Sequence, residues 1–430
     1  MNNGQQKAVE NVDVKRIARG VPQTGENLVK ERKQHPIPDG RMYCKLEAVD
    51  AESDYHNNRR CVRLFGISEA QFVQSLEENS TNSTFDVFIM DIEWPAWEVL
   101  KLNDIYLTRD RFRDSEPEWL EVSYRSDVSA DDGQAYAYPL FLGSAPTFLE
   151  IQRVVPIDGR AIPRSHTVPA VRPHHTPSSS HYVLDAFHVG QGMCSVFHNG
   201  KSGFVLDAGA GTPVIRKIYN QKSFVNEFMT LVKRLSPLSM VLSHFDVDHW
   251  RLLDWDAEFL DRVDKIFVPG NYPSLPFKSS IIKAKVTPIT TATLLDDTVA
   301  SANLRVVRSS PHFSNKNGEC LVAVCRTRGK IALLPGDYTY RRFPTDGGSE
   351  MRALSAAKYD AVVVPHHGDA ASADQVVNPV SDSSIAFFSA GTHSYYNHPK
   401  QESLDNHEDI GYVVINKKES TEIKQKRLLA

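Results

Sequence analysis

The stretch V-L-S-H-F-D-V-D-H-W, Val241 to Trp250, constrains this chain more than any other. An apolar run, Met240–Leu242, drives into His244, Asp246, Asp248 and His249. A strand that ends by aiming imidazole and carboxylate at one spot builds a place for a divalent cation, since imidazole suits zinc and carboxylate suits zinc, manganese and magnesium. If the chain stays extended, positions 244, 246 and 248 project to one side, because side chains alternate. His249 then needs a turn to join them, or faces a second ion. The bland alternative is a polar loop after a buried strand, which would suffice for a lone His or Asp. Four such residues packed as H-x-D-x-D-H favour metal.

Further ligand types stand at the ends of other apolar runs. Lys330–Leu334 leads through Pro335 and Gly336 to Asp337, and Ala361–Val364 leads through Pro365 to His366-His367-Gly368. Phe204–Leu206 ends at Asp207, followed by A-G-A-G, and Ile385–Phe388 leads to His398. Short apolar runs bounded by turn residues read as buried strands. Reactive groups gathered at several strand ends are how a sheet scaffold concentrates a site on one edge.

Taken in order, H-x-D-x-D-H, Gly-Asp and His-His-Gly resemble the metallo-β-lactamase fold hydrolases, most of all the soluble hydrolase domain of the ComEC-type DNA-uptake proteins. The resemblance includes F-H-V-G-Q-G at 187–192 and N-H-P at 397–399, spans roughly residues 181–414, and leaves the first 180 untouched. It implies an α/β fold, the αββα sandwich, preceded here by a small β-rich domain. It also implies two divalent ions, zinc, manganese or magnesium. His244 and Asp246 would hold one ion, Asp248 and His249 the second, Asp337 would lie between them, and His366 would complete the second. Asp207 would orient a ligand imidazole or the attacking water. His367 and His398 would contact substrate phosphate or protonate a leaving alkoxide; a structural role is the competing reading for each.

Two departures from the lactamase pattern matter. Asp246 stands where those enzymes carry His, and the region before Gly-Asp offers Asn315 or Asn317, with His312 out of register. Both make the first site richer in oxygen, which favours manganese or magnesium. The Asp-His-x-Gly-Gly usual in the family is also lost, because D-H-W-R-L over 248–252 puts bulk where the glycines allow a close helix start. Trp250 and Arg251 line the substrate path or, for Trp250, pack in the core.

At 430 residues the chain exceeds one ordinary core, so more than one domain is expected. The reading is a polar tail over 1–40, a β-rich recognition or assembly domain over 41–155, a Pro-rich linker over 156–180, the hydrolase domain over 181–415 and a basic tail over 416–430. Strands are predicted at 42–49, 61–65, 85–89, 105–107, 119–124, 136–141 and 148–155, with a helix over 68–76 and another over 224–235. Asp86, Asp91 and Glu93 read as a strand's solvent face. The paired His174-His175 reads as incidental to the linker.

A net charge of −4 provides no global basic field for nucleic acid, so such binding would need a local patch. No apolar stretch approaches the roughly 18–20 residues of a membrane helix, and the polar N-terminus lacks a signal-peptide core. The five scattered cysteines, with no C-x-x-C, argue against a disulfide framework and for the cytoplasm. The leading expectation is therefore a metal-dependent phosphodiesterase, a nuclease acting on DNA. The alternatives are a hydrolase of a small phosphodiester or nucleotide signal, and a metal-binding regulatory or effector subunit of a multi-gene bacterial defence system. The expected partners are a nucleic acid or nucleotide substrate and, through the β-rich domain, a protein; a membrane is not expected.

Overall fold

The computed structural model describes residues 36–38, 40–56, 59–77, 83–93, 95–96, 119–126, 128–129, 133–157, 181–270, 274–311 and 318–430. The predicted strand at 105–107, most of the Pro-rich linker with His174-His175, nearly all of the N-terminal tail, and His312, Asn315 and Asn317 lie outside the described residues. Among the described residues no helix is long and apolar enough to cross a membrane.

The first unit is a closed antiparallel barrel of β1 (Arg41–Glu52), β2 (Arg60–Ile67), β3 (Phe88–Glu93), β4 (Trp119–Arg125), β5 (Ala135–Pro139) and β6 (Thr147–Ile157), in the order β1-β2-β3-β5-β6-β4. Alternation fills the barrel with Met42, Cys44, Val62, Leu64, Met90, Ile92, Leu120 and Val122. Closure removes exposed sheet edges. β1 is longer than the predicted 42–49 and carries irregularities between Leu46 and Ala48 and between Ala48 and Ala51. Such bulges bend a strand and re-aim its end.

The second unit is a pair of seven-stranded sheets. One contains β7 (Val183–His188), β8 (Cys194–His198), β9 (Gly203–Ala208), β10 (Leu238–Val241), β11 (Lys265–Pro269) and β12 (Val286–Ile289), closed by β22 (Lys424–Leu429), in the order β12-β11-β10-β9-β8-β7-β22. The other contains β13 (Ala292–Asp297), β14 (Ala302–Arg308), β15 (Leu321–Thr327), β16 (Lys330–Leu334), β18 (Ala361–Val363), β20 (Ile385–Phe388) and β21 (Val413–Asn416), in the order β13-β14-β15-β16-β18-β20-β21. A two-residue β17 (Lys358–Tyr359) pairs with β19 (Asn378–Pro379) beside it.

Strand alternation builds the layers. Leu184, Phe197, Leu206 and Val241 of the first sheet meet Leu304, Leu321, Leu334 and Phe387 of the second in one core. The opposite residues of the first sheet, Val205, Leu238 and Met240, pack with Phe228, Leu231 and Val232 of the helix Glu227–Val232. On the far side Val322, Leu333 and Val362 pack with Met351 of the helix Ser349–Ala356. The fold is the αββα sandwich preceded by a small β-barrel.

Three expectations need correction. The strand predicted at 85–89 begins instead at Phe88, so Asp91 and Glu93 lie within it. Neither is solvent-facing. Asp91 is fully buried against Arg63, and Glu93 is buried with Arg59 and His56, because the outside of this part of the barrel is covered by the rest of the molecule. The basic tail predicted after Asn416 ends in a strand, β22, paired antiparallel with β7 and anchored by Leu428, Leu429 and the Arg427–Asp185 ion pair. β22 is an edge strand, where outward lysines discourage further pairing; that camouflages it as a tail.

The barrel and sandwich share apolar surface. Trp250, fully buried, sits among Phe65 and Phe141 of the barrel side and Phe277 of the sandwich, with ring centroids 5.6–6.0 Å away. Fully burying one such side chain contributes roughly 1.5–3 kcal/mol. Trp250 therefore packs in the core, whereas Arg251 lines a cavity.

Candidate metal centre

Each ligand candidate is delivered by a strand end with a local device behind it. After β10, Ser243 N donates to Asp207 Oδ1 at 2.7 Å, and a 3-10 turn, Val247–His249, swings His249 round beside His244. That turn supplies the bend the extended reading lacked. The loop sits on Gly209, where a Cβ would come within 1.6 Å of the Asp248 carbonyl oxygen; the A-G-A-G after Asp207 is thus a bed for the metal loop. Gly336, at φ +60°, turns β16 into Asp337 against Ser243. After β18, His366 and His367 both take left-handed backbone conformations, φ +47° and +55°. Such conformations cost of order 1–3 kcal/mol each outside glycine and concentrate at functional sites. Here they bring successive imidazoles to one centre.

His244, His249 and Asp337 place ligand atoms within 4.8 Å of one another, and so do Asp248, His249 and His367. Asp337 divides the group. Its Oδ2 lies 3.5 Å from His244 Nε2 and 3.6 Å from His366 Nε2, and Asp246 Oδ2 is 3.5 Å from His244 Nε2. Its Oδ1 lies 3.2 Å from His249 Nε2 and 4.0 Å from His367 Nε2, while His367 Nε2 is 3.1 Å from Asp248 Oδ2. The expected partner of Asp248 and His249 was His366; the structure sets His367 there and turns His366 to the His244 side. Read by Asp337's two oxygens, each side then offers two imidazoles, so His366 offsets the nitrogen lost at Asp246.

The geometry fits metal. Nε2 of His244, His249 and His367 and Oδ1 of Asp337 are buried and make no hydrogen bond, whereas buried polar atoms are normally paired. Two ligands about 2.1 Å from one ion at a tetrahedral angle are about 3.4 Å apart, close to the spacings above. The outer nitrogens are fixed. His367 Nδ1 lies 2.7 Å from the Ser389 carbonyl, which only accepts, so Nδ1 carries the proton and Nε2 presents its lone pair. His366 Nδ1 is 2.8 Å from Asp369 Oδ2, and His249 Nδ1 is 2.9 Å from Asp207 Oδ2. Ser243 Oγ gives its proton to Asp207 and stands 3.1 Å from Nδ1 of both His244 and His249. Ser243 and Asp369 were not singled out in the sequence; the H-x-D-x-D-H and H-H-G strings conceal such outer partners.

Without metal, the centre is a lattice of opposed charges. Burial and His249 press the His244 ring towards neutrality, but Asp337 and Asp246 raise its pKa to about 8. Burial likewise opposes charge on His366, and Asp337 and Asp369 outweigh it, giving about 9. His249 is raised well above its ordinary value by Asp337 and Asp207 against the pull of burial. Burial disfavours the Asp337 carboxylate, yet His366, His249 and His244 hold it well below the usual range. Asp248 is also lowered, its burial outweighed by the neighbouring His367 and His249 rings. These carboxylates remain anionic, as ligands must.

A cavity of about 720 Å³ opens over the centre. Asp246, Asp248, Asp337, His366, His367 and His398 line it from the sandwich, and residues 47–52 with Arg63 line it from the barrel. The His398 ring stands 5.9 Å from that of His366 and stacks on Tyr396. Burial, with His367 and His366, pushes its pKa down to about 3, so the ring is neutral. The barrel's share of the cavity could not be read from the sequence, because no ligand-type pattern marks β1.

The layers described above are those of the metallo-β-lactamase fold. No family model matches the chain, and no curated protein matches it. Solved structures similar to it include CmlA, a diiron β-hydroxylase from Streptomyces venezuelae, at 14% identity over 59% of this chain and 55% of that one, TM-score 0.33. The metallo-β-lactamase fold protein YhfI from Bacillus subtilis is 12% identical over 55% of this chain and 98% of that one, TM-score 0.33. Zn(2+)-bound PqqB from Methylobacterium extorquens is 12% identical over 55% and 87% of the two chains, TM-score 0.31. The chain thus spans about half the length of CmlA. Likeness this distant assigns no activity.

Proposed function

We propose that this protein is a metal-dependent hydrolase that cleaves phosphodiester bonds. The observation that carries the reading is Asp337, whose Oδ2 faces His244 Nε2 and His366 Nε2 while its Oδ1 faces His249 Nε2, the His244 and His249 nitrogens being buried without a hydrogen bond. Two divalent cations bound there would supply Lewis acidity and a water acidified towards pKa ~7, the usual equipment for in-line displacement at phosphorus. His244, Asp246 and His366 on one side, and Asp248, His249 and His367 on the other, would hold them. Asp207, Ser243 and Asp369 keep the ligand rings in register. His398, being neutral, donates a hydrogen bond to the departing oxygen. No serine or cysteine nucleophile is required.

DNA is the substrate the ComEC likeness suggests, but the cavity wall supports a shorter one. Glu47, Asp50 and Glu52 of β1 wall one side of a cavity of about 720 Å³, a size that suits a small ligand better than a long chain. Asp50 pairs with Arg60 at 3.1 Å and burial pushes the Glu52 pKa up to about 7, so size more than like charge limits a long polyanion there. A small nucleotide phosphodiester presents a single charge to the centre and avoids that wall. The test is hydrolysis of dinucleotides, cyclic dinucleotides, single-stranded DNA, RNA and plasmid by the full chain with Mn, Mg or Zn. Preference for short substrates supports the small-phosphodiester reading, efficient plasmid degradation returns the DNA reading, and no phosphodiester cleavage under any metal sinks both.

A further inference from the structure

Three guanidinium groups are buried where barrel and sandwich meet: Arg63, Arg216 and Arg251, the last 8% exposed. Arg63 donates Nε and Nη2 to Asp91 at 2.7 and 2.5 Å and Nη2 to Asp54 at 3.1 Å. Arg216 donates Nη1 to Asp254 at 2.6 Å and Nη2 to the Asp254 carbonyl at 3.4 Å. Each leaves one nitrogen unmatched. Arg251 differs in kind, for it makes no hydrogen bond to another described residue. Its nearest carboxylate oxygen, Asp54 Oδ1, is 3.6 Å from Nη1, its Nε is buried and unbonded, and its guanidinium lies 5.8 Å from the Trp255 ring.

A guanidinium cannot shed its charge, and a buried charge without hydrogen bonds is costly unless something completes it. Arg251 follows His249 by two positions, opens the helix Arg251–Trp255 and lines the cleft over the metal centre. Its planar fork matches an oxyanion. The bland reading is that Arg251 merely closes barrel onto sandwich through Asp54. Arg63 and Arg216 already do that through direct hydrogen bonds to Asp91, Asp54 and Asp254, whereas the 3.6 Å separation from Asp54 leaves Arg251 without one.

We infer that Arg251 is the anion-binding residue of the cleft, taking a non-bridging oxygen of the substrate's phosphate. The inference rests on the phosphodiester reading for the identity of the anion, but its test does not depend on turnover. Orthophosphate binding to the Mn-loaded full chain is measured by calorimetry for wild type, Arg251→Gln and Arg251→Lys, with metal content and melting temperature recorded for each. Loss of a charged hydrogen bond should weaken binding by roughly ten- to a hundredfold in Arg251→Gln, with Arg251→Lys intermediate because charge survives and the fork does not. Metal content should be unchanged. Equal phosphate affinity in all three proteins overturns the inference. If Arg251→Gln does not fold or does not load, Arg251→Lys decides: affinity equal to wild type overturns the inference, and a severalfold loss supports it. On esters, the loss should fall on anionic bis(p-nitrophenyl) phosphate and spare a neutral phosphotriester; equal loss on both, with metal retained, marks a structural role and overturns it. Weakened phosphate binding in the variants, alongside a wild type that hydrolyses no phosphodiester, leaves Arg251 as an anion site and removes the proposed activity alone.

Discussion

His367 Nε2 lies 3.1 Å from Asp248 Oδ2, so the second imidazole of the His-His pair, and not the first, faces the Asp248 and His249 side of the centre. His366 Nε2 instead faces Asp337 Oδ2, the oxygen that also faces His244.

Single removals should therefore drain different ions. His367→Ala should lose the ion on the Asp248 side and His366→Ala the one on the His244 side, each leaving about one of two bound. Elemental analysis combined with Co(II) absorption spectra of the remaining ion separates them. Identical spectra from both variants would contradict the division.

Asp207 bonds Ser243 N, Ser243 Oγ and His249 Nδ1. Asp207→Ala should weaken metal binding by roughly 10–100-fold, the usual cost of losing an outer partner of a ligand histidine. Competition with a chromophoric chelator measures this; unchanged affinity would mean that the His249 ring is held by packing alone.

Metal uptake should release protons. The metal-free His244 and His366 rings have pKa values raised from 6.5 to about 8 and about 9. Both are protonated at neutral pH and must be neutral to ligate. Apparent affinity should rise from pH 6 to pH 9 and then level off. The same shifts stabilise the metal-free fold below pH 6.5, and that contribution fades as pH climbs through 8–9. Affinities in buffered metal at four pH values decide it, and a flat profile would contradict it.

Trp250→Ala should cost about 3–5 kcal/mol, the range for emptying a large buried aromatic site, because the ring sits between Phe65, Phe141 and Phe277. Urea unfolding measures the loss. A change under about 1 kcal/mol would mean that barrel and sandwich do not depend on this contact.

Much of the centre was legible because strand-end chemistry is local: H-x-D-x-D-H, Gly-Asp and H-H-G each follow an apolar run. The division between His366 and His367 was not, since it depends on two left-handed residues that composition does not reveal. Asp91 looked like a solvent-facing carboxylate because its partner, Arg63, lies on the neighbouring strand. β22 was hidden by the lysines that protect it as an edge. Arg251 stood beside the motif throughout, yet its unsatisfied state is a property of three dimensions.

The central claim, a two-ion phosphodiesterase, is tested most directly by titrating chelator-stripped full chain with Mn or Zn while following bis(p-nitrophenyl) phosphate hydrolysis. The account expects activity to rise to a plateau at two equivalents per chain, with Asp337→Asn inactive and short of both ions. A plateau at one equivalent, full activity in Asp337→Asn, or no hydrolysis at any loading would contradict it.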